Sequence, residues 1–140
     1  MISVFEFISV CLQMTPSLQT KLPRILVMKF EVVNLKDIVF SVQDVEAHIS
    51  IIIQNAKSTG VSAIKFIHGY GSHGKGGVIS VELRKLLPIL QRKKQITSYL
   101  FGNEWDLSNQ KCQKFLLSHP DCAIDEDLNK SNPGITIIGV

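Results

Sequence analysis

The stretch His68-Gly69-Tyr70-Gly71-Ser72-His73-Gly74-Lys75-Gly76-Gly77 gathers two imidazoles, a phenol, an amine and five glycines within ten residues. Glycine permits positive φ and lets the backbone approach another surface closely. An apolar run, Ala63-Ile64-Lys65-Phe66-Ile67, precedes the loop, and a helical pattern reaching Leu87 follows it. A strand feeding such a loop, with a helix behind it, aims backbone N–H groups and the positive helix end at one spot. That arrangement suits an anion, phosphate above all.

Two common phosphate motifs match the letters but not the chemistry. Gly69-x-Gly71-x-x-Gly74 spells the dinucleotide fingerprint, which also wants an acid about 20 residues on. The chain is basic there, at Arg92-Lys93-Lys94. Gly69 to Lys75 spells G-x-x-x-x-G-K, but Gly76 stands where a P-loop needs Ser or Thr for Mg²⁺. Neither motif is complete. Lys75 and Arg84 are the expected phosphate contacts, one in the loop and one in the helix behind it. His73 at the loop tip is read as a phosphate or base contact. Tyr70 has two readings: a ring that stacks on a base, or one that covers the loop's own backbone. His68 likewise either acts at the site or fixes the turn through its ring nitrogens. His48 reads as a boundary residue, His119 as a helix-end residue and Trp105 as a plug at the core edge.

These side chains need elements to position them. Phe30 to Leu35 is a first strand, rich in β-branched residues. Ser41, with Asp44 three residues on, reads as a capping box. Val42, Val45, Ile49, Ile52, Ile53 and Ala56 then recur at helical spacing until Gly60 stops the helix. Ser62 to Ile67 is the second strand, apolar enough to be interior. A second helix starts near Gly77 or Val78 with Ile79, Leu83, Leu86, Leu87 and Leu90 on one face, and Pro88 should kink or end it. Ile96 to Phe101 reads as a short strand or an extended segment. A third helix, capped by Asp106 or Ser108, carries Cys112, Phe115, Leu116 and Leu117. Asp121 to Asn132 reads as a loop and Gly134 to Val140 as the last strand.

Ile67-His68-Gly69-Tyr70-Gly71 resembles the H-G-x-G signature of the Smr (small MutS-related) domain family. Asn132-Pro133-Gly134-Ile135-Thr136-Ile137-Ile138 is similar to that family's closing strand, and Asp125 to Lys130 to its lead-in. The resemblance covers about residues 29 to 140. It implies an α/β two-layer sandwich with a βαβ core and about four mixed or parallel strands, like the C-terminal domain of bacterial translation initiation factor three. It also implies nucleic-acid binding and, in several members, endonucleolytic cleavage of DNA or RNA. The binding set so implied is Lys36, Gly69, Tyr70, Gly71, Ser72, His73, Gly74, Lys75, Gly76 and Arg84.

The family's other motif, L-D-L-H-G, falls on Val33-Asn34-Leu35-Lys36-Asp37. Its acid is Asn34 here and its histidine Lys36. Asparagine cannot act as a base, and lysine at its ordinary pKa stays charged, though it can hold a phosphate. The expectation is therefore binding more than nicking. If the domain cleaves, His68, His73 and Asp37 are the proton handlers, with Mg²⁺ or Mn²⁺ and Lys75 stabilising the phosphate. The alternative is a non-catalytic module that docks on a ribosome or nucleoprotein.

The whole chain, 140 residues with 45% hydrophobic and 19% charged, fits one globular domain. No apolar run approaches the length of a membrane span. Three cysteines without a CxxC pair argue against a disulfide framework or zinc site and fit a cytoplasmic setting. Charge is uneven: Lys65 to Lys94 holds seven basic residues against Glu82 alone, a net of +6, whereas Glu104 to Lys130 carries −3. A basic cluster on and after the glycine loop favours a polyanion. Residues 1 to 27 read as an N-terminal extension (an accessory strand or helix, or a translated upstream segment), and residues 28 to 140 as the domain.

Overall fold

The computed structural model describes residues 29–38, 41–70 and 76–140. The N-terminal extension therefore lies outside the described residues. Strand β1 is Lys29–Asn34, helix α1 Val45–Thr59, β2 Val61–Ile67, α2 Gly76–Arg92, β3 Ser98–Phe101, α3 Gln110–Ser118 and β4 Ile135–Gly139. The strands form one four-stranded mixed sheet in the order β1-β2-β4-β3. β1 runs parallel to β2, and β4 runs antiparallel to both β2 and β3.

Strand alternation divides the core into two clusters. Ile64, Phe66 and Ile138 point to one face and pack with Ile49, Ile53 and Ala56 of α1 and with Leu83 and Leu87 of α2. Ala63, Ile135 and Ile137 point to the other, against Cys112 and Phe115 of α3, Trp105 and Cys122. The sheet is thus covered on both faces, which corrects the two-layer expectation. The apolar stripe of α3 and the short turn Pro120–Ile124 need a sheet face of their own.

Several local expectations give way to neighbouring solutions. Ser41 makes no backbone cap; its hydroxyl donates to the Asp44 carboxylate at 2.6 Å, and a single 3₁₀ turn, Val42–Asp44, precedes α1. Gly60 does end α1, at φ +80°. Pro88 does not end the helix: α2 continues to Arg92, with Leu87 and Leu90 buried around it. The missing donor costs the carbonyl of Arg84, which lies on the exposed side where water can serve it. α3 is capped by Asn109, whose side chain accepts from the N–H groups of Lys111 and Cys112.

Lys65 overturns part of the charge reading. It lies in β2 with 1% exposure and pairs with Asp125 at 2.8 Å and with Asp127. Burial opposes its charge, but the bonds to Asp125 and Asp127 outweigh that and hold its pKa above the ordinary lysine value. It belongs to the interior, not to a basic surface.

Candidate nucleic-acid interface

Register brings the candidate residues to one edge of the sheet. Asn34 pairs with Ile67, Ile67 with Ile135, and Phe101 with Thr136. The exits of β1, β2 and β3 and the entry of β4 therefore share that edge, and α2 starts after the loop leaving it. On β1's exit, Asn34 caps the turn Leu35–Asp37 by accepting from the Lys36 N–H at 3.1 Å. The Lys36 and Asp37 side chains are exposed beside it.

His68 is 1% exposed, and both its ring nitrogens are occupied. Nδ1–H donates to the Gly69 carbonyl at 2.7 Å, which leaves Nε2 to accept from the Thr136 hydroxyl at 2.9 Å. Burial, with a smaller contribution from Arg84, pushes its pKa below the ordinary imidazole value, against backbone bonds to Gly69 and Ile135 that favour the charged form. The ring is neutral at pH 7 and clasps β2's exit to β4. The Gly134 carbonyl completes the clasp by accepting from the N–H groups of His68 and Gly69, at 2.9 and 3.0 Å. Those two amides are thereby spent, so amides that face an anion must come from Tyr70 onward.

Gly69, at φ +72°, turns the chain outward. Tyr70 lies against Gly134, where a methyl would sit 3.1 Å from Tyr70 Cδ1, yet the residue stays 64% exposed. The ring covers Gly134, in the lead-in to β4, and still offers surface to solvent. On α2, the Arg84 guanidinium rests 4.2 Å from the centroid of the Phe101 ring. That contact is worth roughly 0.5–1 kcal/mol at an exposed site and pre-positions the cation.

Gly71, Ser72, His73, Gly74 and Lys75 lie outside the described residues, and Gly76 opens α2. Lys36, Asp37, His68, Gly69 and Tyr70 share the edge, with Arg84 held over Phe101 at β3's exit. The run Arg92-Lys93-Lys94 does not join them. It follows the far end of α2, about 24 Å along the helix axis from Gly76. With Lys65 buried and Lys85 paired to Glu82 at 3.3 Å, the basic cluster at the loop reduces to Lys36 and Arg84 among the described residues.

Sequence reasoning missed Thr136 and Phe101, the supports of His68 and Arg84. Their sequence signal is slight, since each acts only through a strand pairing. Asn132-Pro133-Gly134 carried a better one: the Asn132 side chain accepts from the Gly134 N–H at 2.9 Å, an Asx turn. For the Mg²⁺ or Mn²⁺ that the family resemblance implies, a donor set is lacking among the described residues, where no three His, Cys, Asp or Glu side chains gather.

No protein-family model matches the chain, and no curated protein matches it. Among solved structures, the chain is similar to the Smr domain of Thermus thermophilus MutS2, at 14% identity and a TM-score of 0.44, over 79% of this chain and 95% of that one. No helix among the described residues is long and apolar enough to cross a membrane.

Proposed function

We propose that residues 28–140 form an Smr-like nucleic-acid-binding domain that holds phosphates and a base at the exit edge of β1 and β2 and has little or no nicking activity. The observation that carries this reading is the arrangement of exposed Lys36, exposed Tyr70 and the braced Arg84 around a turn whose histidine is fully occupied. Lys36 and Arg84 supply charge for phosphate, Tyr70 a stacking face, and the remaining loop amides and Lys75 further donors. A proton handler needs a free nitrogen within reach of the scissile group. His68 has none unless the clasp opens, and Asn34 and Lys36 stand where the family has its acid and histidine.

Filter binding against DNA and RNA over a salt series tests it. Three phosphate contacts on a single strand give a log–log slope of roughly −2. Arg84→Ala should lower that slope by about 0.7, and Tyr70→Ala should cost about 1–3 kcal/mol if one base stacks. Absence of affinity for any DNA or RNA at low salt would overturn the reading. Plasmid and single-stranded RNA assays with Mg²⁺ or Mn²⁺ should show little or no cleavage. The double change Asn34→Asp with Lys36→His should raise it, because aspartate can keep the Asn34 cap. Robust wild-type cleavage abolished by His68→Ala would establish an endonuclease instead.

The second reading, a module docking on a ribosome or nucleoprotein in a cytoplasmic setting, is favoured by the same missing acid–histidine pair. Co-sedimentation with ribosomes that survives Tyr70→Ala and Arg84→Ala would select it.

A further inference from the structure

β3 is one of the two outer strands of the sheet, and strand pairing decides which of its main-chain groups face outward. The Gly134 carbonyl accepts from the His68 N–H, and the Val140 N–H donates to the Ser62 carbonyl at 2.9 Å. By alternation, the even-numbered residues of β4 bond to β2, which leaves Ile137 and Gly139 to bond to β3. Gly139 does so, accepting from the Thr97 N–H at 2.8 Å. Register places these two residues opposite Leu100 and Ser98. Tyr99 and Phe101 therefore turn their N–H and carbonyl groups away from the sheet. In keeping with this, the Phe101 N–H donates to the Glu104 carboxylate at 3.2 Å. Before the strand, the Thr97 carbonyl accepts from Gln91 Nε2 at 3.2 Å. Between these two plugs, the Tyr99 N–H and the carbonyls of Tyr99 and Phe101 have no partner among the described residues.

A recess of about 340 Å³ lies along this strand, lined by Tyr99 and Leu100, by Gln91 of α2 and by Lys114 and Phe115 of α3. Lining from both helical layers puts it where the layers part at the sheet's margin. Its surroundings are cationic. Lys114 is exposed and has no ion pair among the described residues. Lys111 shares Glu104 at 2.8 Å and sits 5.3 Å from the Tyr99 ring centroid. Arg92, Lys93 and Lys94 are exposed on the turn between Gln91 and Thr97. An unpaired strand edge is a template for another chain, and lysines along it repel a second copy of the same edge. Those charges favour an acidic segment instead.

We propose that the outer side of β3 receives an extended acidic peptide of a partner protein, which adds a short fifth strand centred on Tyr99. Its main chain exchanges hydrogen bonds with the Tyr99 N–H and carbonyl and donates to the Phe101 carbonyl. Its acidic side chains meet Lys114 and the Arg92-Lys93-Lys94 turn, and an apolar side chain enters the recess against Phe115. A symmetric pair of β3 strands would instead set Lys111 and Lys114 of one copy against those of the other. The peptide site stands independently of the nucleic-acid reading.

The test is an amide NMR titration of the full chain with an octapeptide of alternating glutamate and valine. In the free protein, the Tyr99 amide should exchange with solvent faster than those of Ser98 and Leu100. The peptide should shift the Tyr99 signal saturably and slow its exchange. Proline at the central positions of the peptide should remove that response, because an added strand bonds through its N–H groups. A lysine–valine peptide should give none. Lys114→Gln, at an exposed position, should weaken binding roughly two- to fivefold, as expected for one rim charge. Absence of a Tyr99 response, or equal binding of the proline or lysine peptide, would overturn the proposal. Tyr99 shifts that grow with protein concentration alone would make the occupant a second copy. A response to an oligonucleotide but not to the peptide would make it a nucleic acid, and either result would overturn the proposal too.

Discussion

A neutral, doubly bonded His68 predicts a defined pH response. Unfolded, its ring titrates near the ordinary 6.5; folded, burial holds it lower. Below 6.5 the unfolded chain takes up a proton that the folded chain refuses, so stability is full above that pH and falls as acid is added. His119, also lowered by burial, adds with the same sign. Each contributes at most about 1.4 kcal/mol per pH unit. Urea unfolding from pH 7.5 down to 5 should show this slope, and His68→Gln should flatten it by up to one proton's worth. The same variant should be roughly 2–4 kcal/mol less stable at pH 7, since it loses a buried ring and two hydrogen bonds. Unchanged stability in His68→Gln would show that the ring's two hydrogen bonds do not hold the β2 exit to β4.

Among elements, the segment from Pro120 to Gly134 links one face of the sheet to the proposed interface. Lys65 holds Asp125 and Asp127; Asp125 also accepts from the Trp105 indole at 3.0 Å, and Asp127 from Asn132 at 3.1 Å. Asn132 orders Gly134, whose carbonyl receives His68 and Gly69. Removing one member of a buried ion group costs about 3–5 kcal/mol, more than the group's net worth. Lys65→Met should therefore destabilise by that order, and adding Asp125→Asn and Asp127→Asn should recover part of it. Denaturant midpoints of the single and triple variants decide this. Burial raises the Asp127 carboxyl's affinity for protons, but bonds from Lys65 and Asn132 outweigh it and hold the pKa below the usual 3.8. Its contribution is thus present above pH 3.8 and fades as pH falls through the lower folded value. At the other end of the scale, Gly60→Ala should cost only about 1 kcal/mol, because the strain at φ +80° meets no neighbour within 4 Å.

The whole molecule was legible where patterns are local. Val45, Ile49, Ile53 and Ala56 mark α1 by spacing alone, and the buried stripe from Ile79 to Leu90 marks α2. Four strands and a loop at the exit of β2 follow from β-branched runs and glycine placement. The second helical layer did not follow, because a sequence stripe does not say which sheet face it will cover. Lys65 misled for a related reason: its partners lie 60 and 62 residues away, and a lysine between apolar neighbours looks like surface until they are found. The Arg92-Lys93-Lys94 run stands close to the glycine loop in sequence, yet an intervening helix carries it to the opposite end.

The strand order has a kinetic side. β4, formed by residues 135–139, lies between β2 and β3, which do not pair with each other. Until that strand arrives, β2 keeps an unfilled edge beside β1, and β3 has no strand to pair with. The pairing Ile67↔Ile135 closes a long loop before it gains any contact, which places this topology among the slower folders for its size. Synthesis from the N-terminus makes β1, α1 and β2 well before their central partner. Over that interval the apolar Ile64-Lys65-Phe66-Ile67 segment is an open template for pairing with another chain. A fragment ending at residue 132 should fail to fold cooperatively and should aggregate, and a peptide spanning 133–140 supplied in trans should suppress that aggregation in a light-scattering assay.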